Sequence, residues 1–170
     1  MKKLVLPALI ALTLAACSST GTDTAGASVE DRGAGVATVT APGMSGSGIA
    51  ALTDPNNILS KRSVFFDFDS YVIKPEGRPL VEAHARFLVQ NPEMRMLVQG
   101  NTDERGSREY NLALGQKRAD VVKQALMLLG AREAQIESVS LGEEKPRCDD
   151  RTETCYAENR RGDMLYSGEF

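Results

Sequence analysis

The sequence predicts an α+β sandwich, with elements in the order β-α-β-α-β-β, held behind a long tether. Two observations lead there, joined by one packing rule. From residue 60 onward, short stretches rich in β-branched and aromatic residues alternate with two longer stretches of helical periodicity. Strands separated by helices favour parallel pairing, with the helices covering a sheet. Residues 18–59, by contrast, are dominated by Ser, Thr, Gly and Ala and show no sustained period.

The first strand is expected in "SVFFDF", residues 63–68. In "KPEGRPLVEAHARFLVQNP", Leu80, His84, Phe87 and Leu88 share one face at helical spacing, and Asn91–Pro92 ends the helix. "MRMLVQGN", residues 94–101, reads as the second strand. "SREYNLALGQKRADVVKQALMLLG" reads as a long second helix with Gly130 as its C-terminal stop. A small helical turn in "AREAQ" precedes a third strand in "QIESVSLG", and "RRGDMLYS", residues 160–167, is the last strand.

The N-terminus has a basic start (Lys2, Lys3), an apolar run from Leu4 to Leu14, and small residues at Ala15 and Ala16. The run is too short to span a bilayer and reads as a secretory signal. Its end, "LAAC" at residues 14–17, resembles the bacterial lipobox, in which the Cys is acylated and becomes the mature N-terminus. Ser18 follows Cys17, and the resemblance to the lipoprotein sorting rule then implies the outer membrane. Buried acyl chains stabilise attachment by about 0.8 kcal/mol per CH₂, and more than one chain makes it durable. The expected organisation is a signal at 1–16, a lipidated N-terminus and flexible linker at 17–59, and a folded head at 60–170. A linker of that length has an r.m.s. span of roughly 35 Å. Its last stretch, "ALTDPNNIL", is positioned to pack on the head.

The formal charge is −3, without a basic block, so a nucleic-acid partner has no electrostatic footprint. Loss of Lys2 and Lys3 with the signal leaves 18 Lys+Arg against 23 Asp+Glu, a net of −5. With Cys17 used by lipid, Cys148 and Cys155 remain, and an even remainder in an oxidising compartment reads as a disulfide. A metal site is a poor alternative, because "CDDRTETC" lacks a second Cys or His pair and His84 is the only His.

The corner "NTDERGS" between the second strand and the second helix concentrates charge. Arg118 falls on the stripe formed by Leu114, Val122, Ala125 and Leu129, with Asn111 two turns before it. An Arg among core positions either needs a partner or ligand, or packs its stem and sends its head to water. Asp103 either shapes the turn and caps the helix or lines the crevice at the strand's carboxyl end. If the helix folds back along its strand, Asp103 and Arg118 approach each other, and such a pair suits a zwitterion. Neither side chain is expected to supply core volume. Asp67 and Asp69 in "DFDS" could serve an aspartyl-phosphatase-like chemistry, or simply close the strand. His84, without a nucleophile nearby, reads as a core-edge histidine.

Over residues 63–166, and in its lipoprotein start, the chain resembles the peptidoglycan-associated lipoprotein family of the Tol–Pal system, built on the OmpA-like C-terminal domain. The likeness is carried by "VFFDFDSYVI", by "QGNTDERGSREYNLALGQKRADVVKQAL", and by "GEEKPRC" and "ENRRGDMLY". It implies an OmpA-like domain with two main helices on a mixed sheet, no enzyme activity, and no cofactor or metal. It also implies a head that binds the diaminopimelate of uncrosslinked peptidoglycan stems through Asp103 and Arg118, with Asn111, Thr102 and Asp67 in support. The implied setting is the periplasmic face of the outer membrane, with TolB and other Tol–Pal components as partners. Two positions depart from the family pattern: Asn101 stands where His is usual, and Gly162 follows "NRR" where Ala or Val is usual. The alternatives are a lipid-anchored hydrolase using Asp67 and Asp69, and a motor-stator type of wall-tethering protein, which should carry a transmembrane helix.

Overall fold

The computed structural model describes residues 48–169. The signal, Cys17 and the tether up to residue 47 lie outside the described residues. A short helix α1 (Gly48–Thr53) and a 3₁₀ turn (Ile58–Ser60) lead into β1 (Ser63–Phe65). Then come α2 (Arg78–Gln90), β2 (Met96–Asn101), α3 (Arg108–Leu128), β3 (Ile136–Gly142), α4 (Glu153–Asn159) and β4 (Arg161–Tyr166). Leu52 and Leu59, which the sequence assigned to the tether, are buried in the hydrophobic core.

The helices form where capping and periodicity agree. Pro79 sits in the first turn of α2, and its stripe buries Leu80, Val81, His84, Phe87 and Leu88. The side chain of Asn91 closes the end by donating to the Phe87 carbonyl at 2.7 Å. Ser107 caps α3 by accepting from the Tyr110 amide. Gly130, at φ +104°, ends it, and the Ala131 amide reaches back to the Leu126 carbonyl. The buried stripe of α3 differs at its C-terminal end from the expected one. It runs through Asn111, Leu114, Arg118, Val122 and Leu126, while Ala125 is only half-buried and Leu129 is exposed. From Arg118 the stripe advances by four residues per turn, and Leu129 is already the turning C-cap residue.

The sheet order is β1-β4-β2-β3. β2 and β3 are parallel, as a helical crossover requires. β1 and β2 are not neighbours, contrary to simple strand-helix-strand pairing. β4 lies between them and is antiparallel to both. Five of the six residues of β4 are buried, the mark of a central strand, yet it carries Arg161 and Asp163. Those charges neutralise each other within the fold: Arg161 Nε donates to Asp163 Oδ2 at 2.9 Å, and Arg147 and Ser63 satisfy Oδ1. Cys148 and Cys155 form a disulfide. α4, not anticipated, starts inside its loop, capped by Thr152. Asn159 clips the same loop, accepting from the Arg147 amide and donating to the Cys148 carbonyl.

Two glycines decide how closely α3 lies on the sheet. A Cβ on Gly100 would stand 1.8 Å from the Gly115 carbonyl oxygen, so helix and strand backbones touch. Gly162 is different. A Cβ there would meet Phe66 and Val122 at 3.5 Å, an ordinary contact, and the strand is ladder-bonded on both sides. The departure at Gly162 therefore does not loosen the entry of β4.

His84 is fully buried rather than at the core edge. Its Nε2 lies 2.8 Å from the Lys61 carbonyl, which can only accept, so Nε2 carries the proton. Nδ1 then accepts from the Tyr166 hydroxyl at 2.8 Å. Burial pushes the His84 pKa down from 6.5 to about 4, against the pull of the Lys61 hydrogen bond.

Gly100→Ala should cost about 1–3 kcal/mol or more through overpacking. Gly162→Ala should be neutral, or stabilising by up to about 1 kcal/mol through the unfolded chain. Urea midpoints compare the two directly. His84 predicts a pH signature. Its folded pKa lies below its unfolded one, so the unfolded chain protonates first on acidification. Stability is fully present above about pH 6.5 and falls progressively toward pH 4. The loss is on the order of 3 kcal/mol. His84→Gln should flatten urea midpoints across that window.

Candidate functional site

The contact of Gly100 with Gly115 brings α3 down onto the end of β2. One turn further along, Arg118 reaches beneath the strand's last residue. It is the largest of the fully buried side chains. Nη1 donates to the Asn101 carbonyl at 2.9 Å, Nε to the Ser70 carbonyl at 2.8 Å and Nη2 to the Asp67 carbonyl at 3.1 Å. Its guanidinium lies 5.3 Å from the Phe66 ring centroid. Burial lowers its pKa to about 10, partly offset by Asp103, so the charge persists at neutral pH. A guanidinium carries five N–H groups. Three are spent on carbonyls, which leaves one on each Nη.

Past Asn101 the chain turns through Thr102, Asp103, Glu104 and Arg105 to Gly106, whose φ of +120° only glycine adopts comfortably. Asp103 is buried and doubly paired. Its Oδ2 accepts from Arg105 Nη2 at 2.6 Å and from Arg160 Nη1 at 3.0 Å, and its Oδ1 accepts from the Arg105 amide. Burial alone would raise the Asp103 pKa, but the bonds from Arg105 and Arg160 outweigh it and hold the carboxyl below its ordinary value. The Arg105 guanidinium is stacked between the Phe68 and Tyr156 rings, 4.2 and 4.4 Å from their centroids.

Asp103 and Arg118 line one cavity of about 210 Å³, with Thr102, Asn111, Tyr110 and Phe68. They do not pair with each other; the partners of Asp103 are Arg105 and Arg160. Thr102 Oγ1 and Arg105 Nε are buried without a hydrogen-bond partner. Asn111 is buried, and its side-chain amide donates to Glu143. Asn101 bonds locally, its amide to the Gln99 carbonyl.

Asp67 does not join the cavity through its carboxylate. That group is 72% exposed and 3.4 Å from Lys74 Nζ; only the Asp67 carbonyl takes part, through Arg118. Asp69, at φ +52°, lies on the cavity lip and accepts from the Tyr110 hydroxyl. The two carboxylates therefore face different surroundings. Arg160 and Arg105 were missed as site residues. The doublet Arg160–Arg161 held the signal, since adjacent residues entering a strand face opposite sides. Arg160 turns to Asp103 and Arg161 to Asp163.

Chemically the cavity is lined by a guanidinium with two N–H groups unspent within the fold and by a carboxylate with spare acceptor capacity on Asp103 Oδ1. Such an arrangement suits a group bearing both charges. The expectation that Arg118 contributes no core volume fails, because it fills the core and satisfies three carbonyls. Arg118→Ala should lower stability by more than about 3 kcal/mol, since each orphaned buried carbonyl costs about 1–3 kcal/mol. Chemical denaturation of the variant checks this.

The OmpA family matches residues 65–160 of the chain. A peptidoglycan-associated lipoprotein of Haemophilus influenzae is 41% identical over 98% of this chain and 100% of its own. One from Pasteurella multocida is 47% identical over 61% of this chain and 69% of its own. The crystal structure of the peptidoglycan-associated lipoprotein from Burkholderia pseudomallei superimposes with a TM-score of 0.67 at 54% identity, covering 68% of this chain and 98% of that one. The C-terminal domain of Helicobacter pylori MotB shares the fold, with a TM-score of 0.56 at 22% identity over 61% of this chain and 81% of that one. No described helix is long and apolar enough to cross a membrane.

Proposed function

The chain belongs to the OmpA family and, by likeness over nearly its whole length, to the peptidoglycan-associated lipoproteins. From that premise we propose that it is a non-catalytic outer-membrane lipoprotein that ties the membrane to the cell wall. Acylation of Cys17 supplies the anchor, and the head grips uncrosslinked peptidoglycan stems from the periplasmic side. As a member of the Tol–Pal system it also binds TolB, in competition with the wall, and so supports envelope integrity and cell division.

One observation carries the wall-binding reading. Arg118 and Asp103 line one small cavity, and each has hydrogen-bonding capacity that the fold leaves unspent. The free end of diaminopimelate bears a carboxylate and an ammonium on one carbon. Its carboxylate suits the two spare N–H groups of Arg118 in bidentate fashion. Its ammonium suits Asp103 Oδ1. Thr102 Oγ1, unpaired and buried at the wall, is a further contact. The surrounding guanidinium groups of Arg105 and Arg160 hold Asp103 ionised and rigid, so little is left to order on binding. The hydrolase alternative finds less support, because Asp67 and Asp69 do not converge on one site.

Sedimentation of the full-length protein with sacculi tests the reading. Asp103→Asn keeps shape but removes the charge, and losing one partner of a shielded pair costs about 2–5 kcal/mol. Binding should fall more than tenfold, with folding verified first by circular dichroism. Stem fragments containing diaminopimelate should compete better than Lys-containing ones, which lack the second carboxylate. A folded Asp103→Asn variant that binds sacculi as the wild type does, with no preference between the two fragments, would falsify the clamp.

A further inference from the structure

Beside the clamp lies a second cavity of about 350 Å³, under the loop that the Cys148–Cys155 bridge closes. Five carboxylates line it and no basic side chain does: Glu104, Glu143, Glu144, Asp149 and Asp150. Two of them have cationic partners on the rim. Arg108 Nε is 2.8 Å from Glu144, and Arg151 Nε is 3.3 Å from Glu104, both in exposed pairs. Glu104 also accepts from the Tyr156 hydroxyl at 3.1 Å. Glu143 accepts from Asn111 of the first cavity. Asp149 and Asp150 make no ion pair among the described residues. Five acids against two bases leave a surplus of three negative charges.

A second observation points to a ligand. Thr102, only 3% exposed, walls both cavities, and its Oγ1 is buried without a hydrogen-bond partner. A hydroxyl has one donor and two acceptor positions, so Thr102 can donate to a carboxylate in the clamp and still accept from an N–H donor arriving on the acidic side. Among the described residues no three His, Cys, Asp or Glu side chains converge to hold a metal ion. The negative charge is spread over a cavity wall, which fits an organic cation rather than a metal.

We propose that this acidic cavity is a second subsite, next to the zwitterion clamp, that takes an organic primary ammonium group. The clamp already accounts for the one free ammonium of the stem it grips. The second ammonium therefore comes from elsewhere in the wall. It belongs either to a neighbouring uncrosslinked stem or to an amino sugar that has lost its acetyl group. This choice of carrier rests on the wall-binding reading above; the ammonium chemistry of the cavity does not.

Nuclear magnetic resonance of the full-length protein in detergent micelles tests it with two probes that lack a carboxylate, 1,5-diaminopentane and a glucosamine oligomer. At least one should shift the amides of Thr102 and of residues 148–150 saturably, while an N-acetylglucosamine oligomer should not. Asp149→Asn combined with Asp150→Asn changes only exposed loop residues, so folding is unaffected. That variant should bind the amines about tenfold more weakly and bind diaminopimelate unchanged. Absence of shifts with both amines, or equal amine affinity in wild type and variant, overturns the subsite. Loss of diaminopimelate binding in Asp103→Asn, with amine binding kept, supports it as a separate site. Failure of the clamp reading is recognised differently, by diaminopimelate binding that Asp103→Asn leaves intact. If the glucosamine oligomer binds and an amine-bearing stem fragment shifts only the clamp residues, the carrier is the sugar; shifts at both cavities with the stem fragment identify a second stem.

Discussion

One buried guanidinium holds this molecule's functional end together. Arg118 reaches from the middle of α3 and closes three carbonyls, at Asp67, Ser70 and Asn101. Those carbonyls belong to the loop after β1 and to the last residue of β2, and Arg160, bonded to both Phe66 and Asp103, is a second link between the loop after β1 and the turn that follows β2. A buried carbonyl left unbonded is costly, and so is a buried charge left unpaired. Each defect is the remedy for the other. The arrangement needs α3 to lie directly on the strand, which the Gly100–Gly115 contact permits. Stability and site geometry thus depend on the same helix-sheet distance.

Around that anchor the charges are arranged in a chain rather than a pair. Asp103 is held by Arg105 and Arg160, and Glu153 takes the far ends of both. Arg105 is further fixed between two aromatic faces. The result is a carboxylate that stays ionised although buried, in a wall whose positions are set before any ligand arrives. Preorganisation of this kind lowers the ordering cost of binding. The charge chain also ties the turn after β2 to α4, so the disulfide loop and the candidate cavity share a frame. The acidic cavity under that loop and the basic cavity at Arg118 meet at one residue, Thr102.

The periodic parts of the fold were legible in the sequence. α2, α3 and β2 fell where apolar spacing and caps placed them, because those signals act within a few residues. Asp103, Arg118, Asn111 and Thr102 were identifiable from a charged corner, a charge on an apolar stripe, and the family motif. The position of β4 was not legible, because a strand bearing Arg161 and Asp163 reads as an edge until both charges are seen to cancel inside. α4 was hidden for a different reason: seven residues that begin inside a disulfide loop and run past it carry too little periodicity to declare a helix.

By itself the sequence determined the mixed α and β content, the two long helices, the cysteine pairing and the charged residues that line the candidate cavity. These follow from local spacing, local capping and side-chain chemistry. Tertiary structure alone decided that β4 runs between β1 and β2, that Arg160 rather than Arg118 pairs with Asp103, and that Asp67 contributes a carbonyl instead of a carboxylate. It also decided that Arg118, which lines the candidate cavity, is a core residue. The physical reason is that hydrogen-bond partners are chosen by distance in the folded chain. Arg160 lies 57 residues from Asp103 along the sequence and 3.0 Å from it in space.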